Sequence, residues 1–198
     1  MLVGKASLGV RLNLEAGWIR LVQVDNSGHH RVHEESWGSS KPSSGISEKL
    51  SAGGAEVVLG LPEEAVHTRY LEFPNLKKGQ WETAVRSTAM RYFPFQASRH
   101  TLAHSLCPAL SGERKRSGAV AFLIDQATLR NQTEWLQSRG CKVDHVEFES
   151  LAVQRWLCWE EASMKKGAFL WCRLGDKSLQ VGLVVDRLYY GCQALTPP

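Results

Sequence analysis

The strand-like phrase ASLGVRL at residues 6–12 returns in altered form as AFLWCRL at residues 168–174. Ala6, Leu8, Arg11 and Leu12 reappear 162 positions later as Ala168, Leu170, Arg173 and Leu174. Val24-Asp25 recurs as Val185-Asp186, one position tighter. Two readings stay open on the letters alone. Apolar alternation is common to all β-hairpins and produces chance likeness; or the fold begins twice, with a cation at the same place in each opening strand. In either case an arginine inside a strand must reach water, a carboxylate or another partner, because an unpaired buried guanidinium is costly.

Between the two phrases the pattern changes period. Residues 5–13, 17–25 and 29–37 alternate as strands joined by the turns LEAG and DNSGHH, which predicts a meander. SSKPSSG (39–45) is a loop by composition, and ISEKL after it a short helical turn. EVVLGLP (56–62) is a nearly continuous apolar run, as expected of a strand covered on both faces. AVHTRYLEF (65–73) is extended up to Pro74. Trp81, Val85, Ala89 and Phe93 then recur at steps of four, one face of a helix over 78–93 that Pro94 stops. An extended HTLAHSLC (100–107), a basic turn SGERKRSG (111–118) and a buried strand AVAFLID (119–125) follow. QATLRNQTEWLQSRG is a second helix closed by Gly140, KVDHVEF a strand, and SLAVQRWLCWEEA a third helix. Two or three strands fill the last 31 residues. Strands alternating with helices suggest a mixed sheet covered by helices on both faces. The closing segment 168–198 is too small for a core of its own. It must extend or cap the earlier sheet, or pair with a second copy.

Composition narrows the classes. At 198 residues there is one ordinary domain, or one and a fraction. Apolar and charged shares of 43% and 22% are those of a globular protein, and a net charge of +4 is too mild to indicate nucleic acid. Arg114, Lys115 and Arg116 make a short basic tip, read as solvated rather than as a lipid or nucleic-acid contact. Five cysteines, an odd number with no C-x-x-C, point to reduced thiols in a cytosolic compartment. The opening residues MLVGKASLGV lack the long apolar stretch expected of a signal peptide, and no apolar run approaches the ~20 residues of a membrane span.

Motifs for chemistry are sparse. There is no G-x-x-x-x-G-K-[ST], no G-x-G-x-x-G and no G-x-S-x-G. His29, His30 and His33 cluster, as do His100 and His104, yet without acidic or Cys partners at ligand spacing, so no metal is expected. Asp125, Asp144, Glu147 and Glu149 are spread over a helix and a strand and read as surface carboxylates rather than an acid/base pair. The segment Tyr92-Phe93-Pro94-Phe95 closing the first helix has two readings, a helix end buried in core or an apolar groove for a partner peptide.

A strand–turn–strand opening repeated after three helices resembles the actin-like ATPase fold. Within it the chain is similar to the PilM family (competence protein A) of type IV pilus assembly proteins. The likeness rests on LGVRL…WIRLVQV, on VVLGLPEEAVHTRYLEFPNL, on AVRSTAMRYFPF with its tyrosine–apolar–Pro–Phe ending, and on WLQSRGCKVDHVEFESLAVQRWL. It covers most of residues 6–195. The resemblance implies an α/β, actin-like (ribonuclease H-like) mixed sheet. Residues 1–165 would be the first half, with an inserted subdomain at about 62–118. Residues 166–198 would be the opening hairpin of a truncated second half.

The departures are as informative. ATP-binding members carry an Asp in the first strand of each half and Gly/Ser in the turn after it. Here Arg11 and Arg173 stand at the acidic positions, Asn13 opens the turn NLEAGW, and of the expected glycines Gly175 survives. A guanidinium has no lone pair to offer to hydrated Mg²⁺. The resemblance therefore implies a degenerate nucleotide site (Arg11, Asn13, Arg173, Gly175), no cofactor and no catalysis. It also implies a cytoplasmic adaptor, peripheral to the inner membrane, that binds the tail of a PilN-like membrane protein through Tyr92, Phe93, Pro94 and Phe95. A GspL-like domain of type II secretion is the close variant, and an actin-like ATPase the enzymatic alternative. Nucleic acid is not an expected partner; a homo-oligomer stays open.

Overall fold

A computed structural model describes residues 6–37, 43–51, 55–93, 96, 98–113, 116–160, 166–174 and 179–195. In chain order the strands are β1 (Ser7–Asn13), β2 (Trp18–Val24), β3 (His30–Ser36), β4 (Glu56–Leu61), β5 (Val66–Pro74), β6 (His100–Pro108), β7 (Arg116–Asp125), β8 (His145–Phe148), β9 (Ala168–Leu174), β10 (Leu179–Val185) and β11 (Leu188–Leu195). The helices are α1 (Ser44–Ser51), α2 (Trp81–Tyr92), α3 (Gln126–Gln137) and α4 (Glu149–Glu160). The chain forms two compact units, Met1–Pro62 with Ala127–Phe148, and Glu63–Gln126 with Glu149–Pro198. The stretch near 62–118 lies almost wholly in the second unit, together with the C-terminal strands.

The first unit holds a five-stranded mixed sheet in the order β3-β2-β1-β4-β8. Its first three strands are the expected antiparallel meander. Gly17 and Gly28 turn the chain at positive φ. At the second turn Asp25 Oδ1 accepts from the Ser27 and His29 N–H groups and from the Ser27 hydroxyl. The Ser27 hydroxyl bond leads in holding that carboxyl below its ordinary pKa. β4 then joins β1 in parallel, and β8 joins β4 in parallel. Parallel pairing requires a crossover, and α1 lies in the first of them. Alternation sends Leu8, Val10, Leu12, Ile19, Leu21, Val57, Leu59 and Leu61 to one buried face. The other face carries Gly9, Arg11 and Asn13, all half-buried. The strand expected over 142–148 starts only at His145. Asp144 is drawn out of the ladder because its N–H donates to Val57 O and its Oδ2 accepts from Val57 N, both at 3.0 Å.

The second unit holds two antiparallel three-stranded sheets, β5-β7-β6 and β11-β10-β9. β7 is central in the first and buried from Gly118 to Leu123. It begins at Arg116, inside the basic turn anticipated over 111–118 and ahead of the strand anticipated from 119; there Arg116 pairs with Glu72 at 3.1 Å. Arg114 and Lys115 lie outside the described residues. The stripe read from steps of four docks α2 on this sheet: Val85 packs with Leu71, Phe73, Ala119 and Ala121, flanked by Trp81, Ala84 and Phe93. The β9–β11 sheet covers α4, with Trp171, Val184, Phe169 and Cys192 against Val153, Leu157 and Cys158. The same segment caps the β5-β7-β6 sheet without pairing to it. Tyr190 donates its hydroxyl to Pro108 O at 3.0 Å, Tyr189 stacks on Phe122, and the Thr68 hydroxyl donates to Cys192 O. The Trp171 ring lies across Gly182, its partner in the ladder; a Cβ there would clash with Trp171 Cε2.

Candidate functional site

The two strand arginines take different partners. Arg11 projects from the half-buried face of β1, and its guanidinium lies 5.5 Å from the centroid of the Trp18 ring. Its ladder partner is Arg20, a like charge directly opposite, which would destabilise the pair. Glu34, opposite Arg20 on β3, relieves this through an ion pair with the Arg20 Nε. Asn13 is engaged by the turn, its Oδ1 accepting from Ala16 N at 2.8 Å. In the second unit Arg173 Nη1 meets Glu149 Oε1 at 2.5 Å. Glu149 opens α4, so its charge also lies at the favourable end of that helix. Each cation thus finds an electron-rich partner, an aromatic face or a carboxylate. Gly175 lies outside the described residues.

A carboxylate that the sequence did not single out lies beside this pair. Glu63 is buried, 87 positions from its partner Ser150. Its Oε2 accepts from Ser150 N at 3.3 Å and from the Ser150 hydroxyl, so it caps α4 from a distance. Burial pushes the Glu63 carboxyl above the ordinary range; the Ser150 bonds pull it partly back, and neighbouring Glu149 adds to the rise. A carboxyl with a raised native pKa favours the folded state at low pH. That contribution is lost as pH rises through the raised value. Glu63→Gln keeps an acceptor for Ser150 without the charge. Its melting temperature, relative to the parent, is expected to improve steadily from acidic to neutral pH. A difference independent of pH would refute this role.

The aromatic corner at the end of α2 is split between core and surface. Phe93 leaves the helix in extended geometry, φ −112° and ψ 153°, as a residue before proline must. It packs against the α2–sheet core. Tyr92 points outward, 53% exposed, with the Arg69 guanidinium 4.6 Å from its ring centroid. Met90, also exposed, precedes it on the same helix. Pro94 and Phe95 lie outside the described residues. Among the described residues no group of three or more His, Cys, Asp or Glu side chains is arranged to hold a metal. Of the scattered carboxylates, Asp144 serves the β4 edge and Glu149 binds Arg173.

No protein-family model matches the chain, and no curated protein matches its sequence. Solved structures match its fold. A chain of the PilM-PilN type IV pilus biogenesis complex superposes with a TM-score of 0.74 at 19% identity, over 96% of this chain and 61% of that one. The cytoplasmic domain of EpsL, an inner membrane component of the type II secretion system of Vibrio cholerae, gives 0.63 at 17%, over 96% and 71%. A Bacteroides thetaiotaomicron protein with an actin-like ATPase fold and unknown function gives 0.54 at 9%, over 98% and 71%. The chain therefore has the actin-like fold, and it spans about three fifths of the length of the pilus protein it matches.

Proposed function

We propose that this protein is a non-catalytic cytoplasmic adaptor of a type IV pilus machine that holds the short cytoplasmic tail of a PilN-like inner-membrane protein. The observation that carries this reading is the match of nearly the whole chain to a structure solved as a PilM-PilN complex. The Tyr-Phe-Pro-Phe helix end common to the PilM resemblance adds a place for the tail. Tyr92 stands exposed there on a guanidinium, beside a Phe93 that is anchored in the core. An exposed aromatic on a rigid helix end is the kind of anchor that peptide grooves use. Among the described residues no helix is long and apolar enough to cross a membrane, so attachment would come through the partner.

A synthetic peptide with the cytoplasmic N-terminal sequence of a PilN protein is expected to bind with micromolar affinity. Tyr92→Ala is expected to weaken it about tenfold, or ~1.4 kcal/mol. No binding at millimolar peptide, or binding unaffected by Tyr92→Ala, would sink the proposal. The EpsL match supports a second reading, the equivalent adaptor of a type II secretion system; a preference for the secretion partner's tail over the pilus peptide would select it.

The non-catalytic part of the proposal rests on the arginines. Arg11 and Arg173 stand where an ATP-binding relative keeps its acids, and they are engaged by Trp18 and Glu149. Calorimetry is expected to find no Mg²⁺-dependent ATP binding, and a phosphate-release assay no turnover. Micromolar binding abolished by chelation would restore the ATPase alternative.

A further inference from the structure

Among the described residues, one face of the β9–β11 sheet is packed on α4 and the other, apolar face is exposed. Phe169, Trp171 and Val184 point into the core against α4. Alternation and the observed register put Arg173 and Gln180 on that packed face too, and send the intervening side chains to the opposite face. From β9 these are Ala168, Leu170, Cys172 and Leu174, all exposed, with Leu170 at 66% and Leu174 at 85%. β10 adds Leu179, Val181, Leu183 and Val185, all half-buried. β11 completes the face with Leu188 and Leu195 at the hairpin's two ends, both exposed. Among the described residues the face carries no charged side chain, and Gln193 at its margin is the one polar side chain. β9, like β11 on the other side, is moreover an edge strand of its sheet.

Soluble monomers rarely leave an apolar patch of several hundred Å² open, and an uncapped edge strand beside it compounds the liability. A sheet apolar on both faces is the middle layer of a three-layer arrangement. We infer that the outer layer is a second copy of this chain, two β9–β11 sheets stacking face to face about a two-fold axis. The face suits its own copy. Without charges it meets no like-charge repulsion in an isologous contact, and a net charge of +4 opposes association only weakly. Flat antiparallel faces of this type stack at about 10 Å with interdigitated side chains. Strands of seven or eight residues, spaced ~4.8 Å apart, give a face of roughly 14 by 24 Å. Side-chain relief raises this to on the order of 500 Å² per copy, about 1,000 Å² for the pair, at the lower limit for a specific interface. The dimer is therefore reversible, in the micromolar range, not an obligate one.

Sedimentation of the full 198-residue chain from about 1 to 200 μM tests this around the affinity expected for such an area. The weight-average mass is expected to rise from the monomer value of 22.1 kDa towards twice that. Leu170→Lys combined with Leu174→Lys is expected to hold the protein at the monomer mass. Cys172, the one exposed cysteine of the five, gives a readout on the unaltered chain. Its alkylation is expected to slow several-fold across the same concentration range. A monomer at every concentration with constant Cys172 reactivity overturns the inference and leaves the face to a layer supplied by further polypeptide, such as the extra length of the PilM- and EpsL-type structures. A dimer that survives the double lysine variant, or forms without protecting Cys172, overturns it as well.

Discussion

Gly182→Ala is expected to destabilise the protein by about 3 kcal/mol, a loss of roughly 6–12 °C in melting temperature for a chain of this size. The side-chain addition is one methyl, but it is aimed straight into the carbons of the Trp171 ring. Trp171 cannot swing aside cheaply. It is nearly buried, enclosed with Val184 and Cys158 between sheet and helix. Either the β9–β10 ladder opens or the indole leaves its rotamer. A double-mutant cycle separates this clash from a general loss of packing. Trp171→Leu alone should cost stability through a cavity, yet combined with Gly182→Ala it should cost less than the sum, because the alanine then has room. If Gly182→Ala changes the denaturation midpoint by no more than a surface substitution does, the ring does not lie where it is described.

Val85→Asp is expected to be more severe still, at about 4 kcal/mol or more, because it places a carboxylate where nothing can solvate it. Val85 is 0% exposed and is enclosed by Leu71, Phe73, Ala119 and Ala121. Undocking α2 also removes the platform for Tyr92, so tail binding should vanish with the fold. Tyr92→Ala provides the contrast, with binding weakened and the melting temperature within about 1–2 °C of the parent. If both variants lose stability to the same extent, Tyr92 belongs to the core and not to a partner surface.

What the sequence revealed and what it hid follow from the range of the forces involved. The α2 stripe was legible because Trp81, Val85, Ala89 and Phe93 recur at helical spacing; Trp81, Val85 and Phe93 meet one sheet, and Ala89 is buried. The meander was legible from turn chemistry at Asp25 and Gly28, which acts within four residues. The start of β8 was not, since Asp144 leaves the ladder for a backbone 87 positions away. Glu63 went unnoticed for the same reason: nothing near it in sequence signals Ser150, and a Glu-Glu pair after a proline reads as a solvated turn. Both arginines lie within strands, as the repeated phrase predicted, and their need for partners followed from charge alone. Which partners they took, an indole for one and a carboxylate for the other, depended on ladder register and on the first residue of α4. The apolar outer face of the β9–β11 sheet was written openly in LQVGLVV, a strand apolar at six of seven positions counting its glycine.

The division of the chain has a consequence for synthesis. Both units are assembled from two separated segments, so neither is complete when its first segment leaves the ribosome. Once residues 1–62 have emerged they offer β3-β2-β1-β4, a sheet whose β4 edge is open until β8 arrives at 145–148. The β5-β7-β6 sheet, by contrast, is contiguous in sequence and can close by hairpin pairing as soon as β7 has followed β6. Nascent-chain protease protection is therefore expected to appear first over residues 66–125, and over the N-terminal strands only after β8 has been made. During that interval the unpaired β4 edge is the part of the nascent protein most in need of a chaperone.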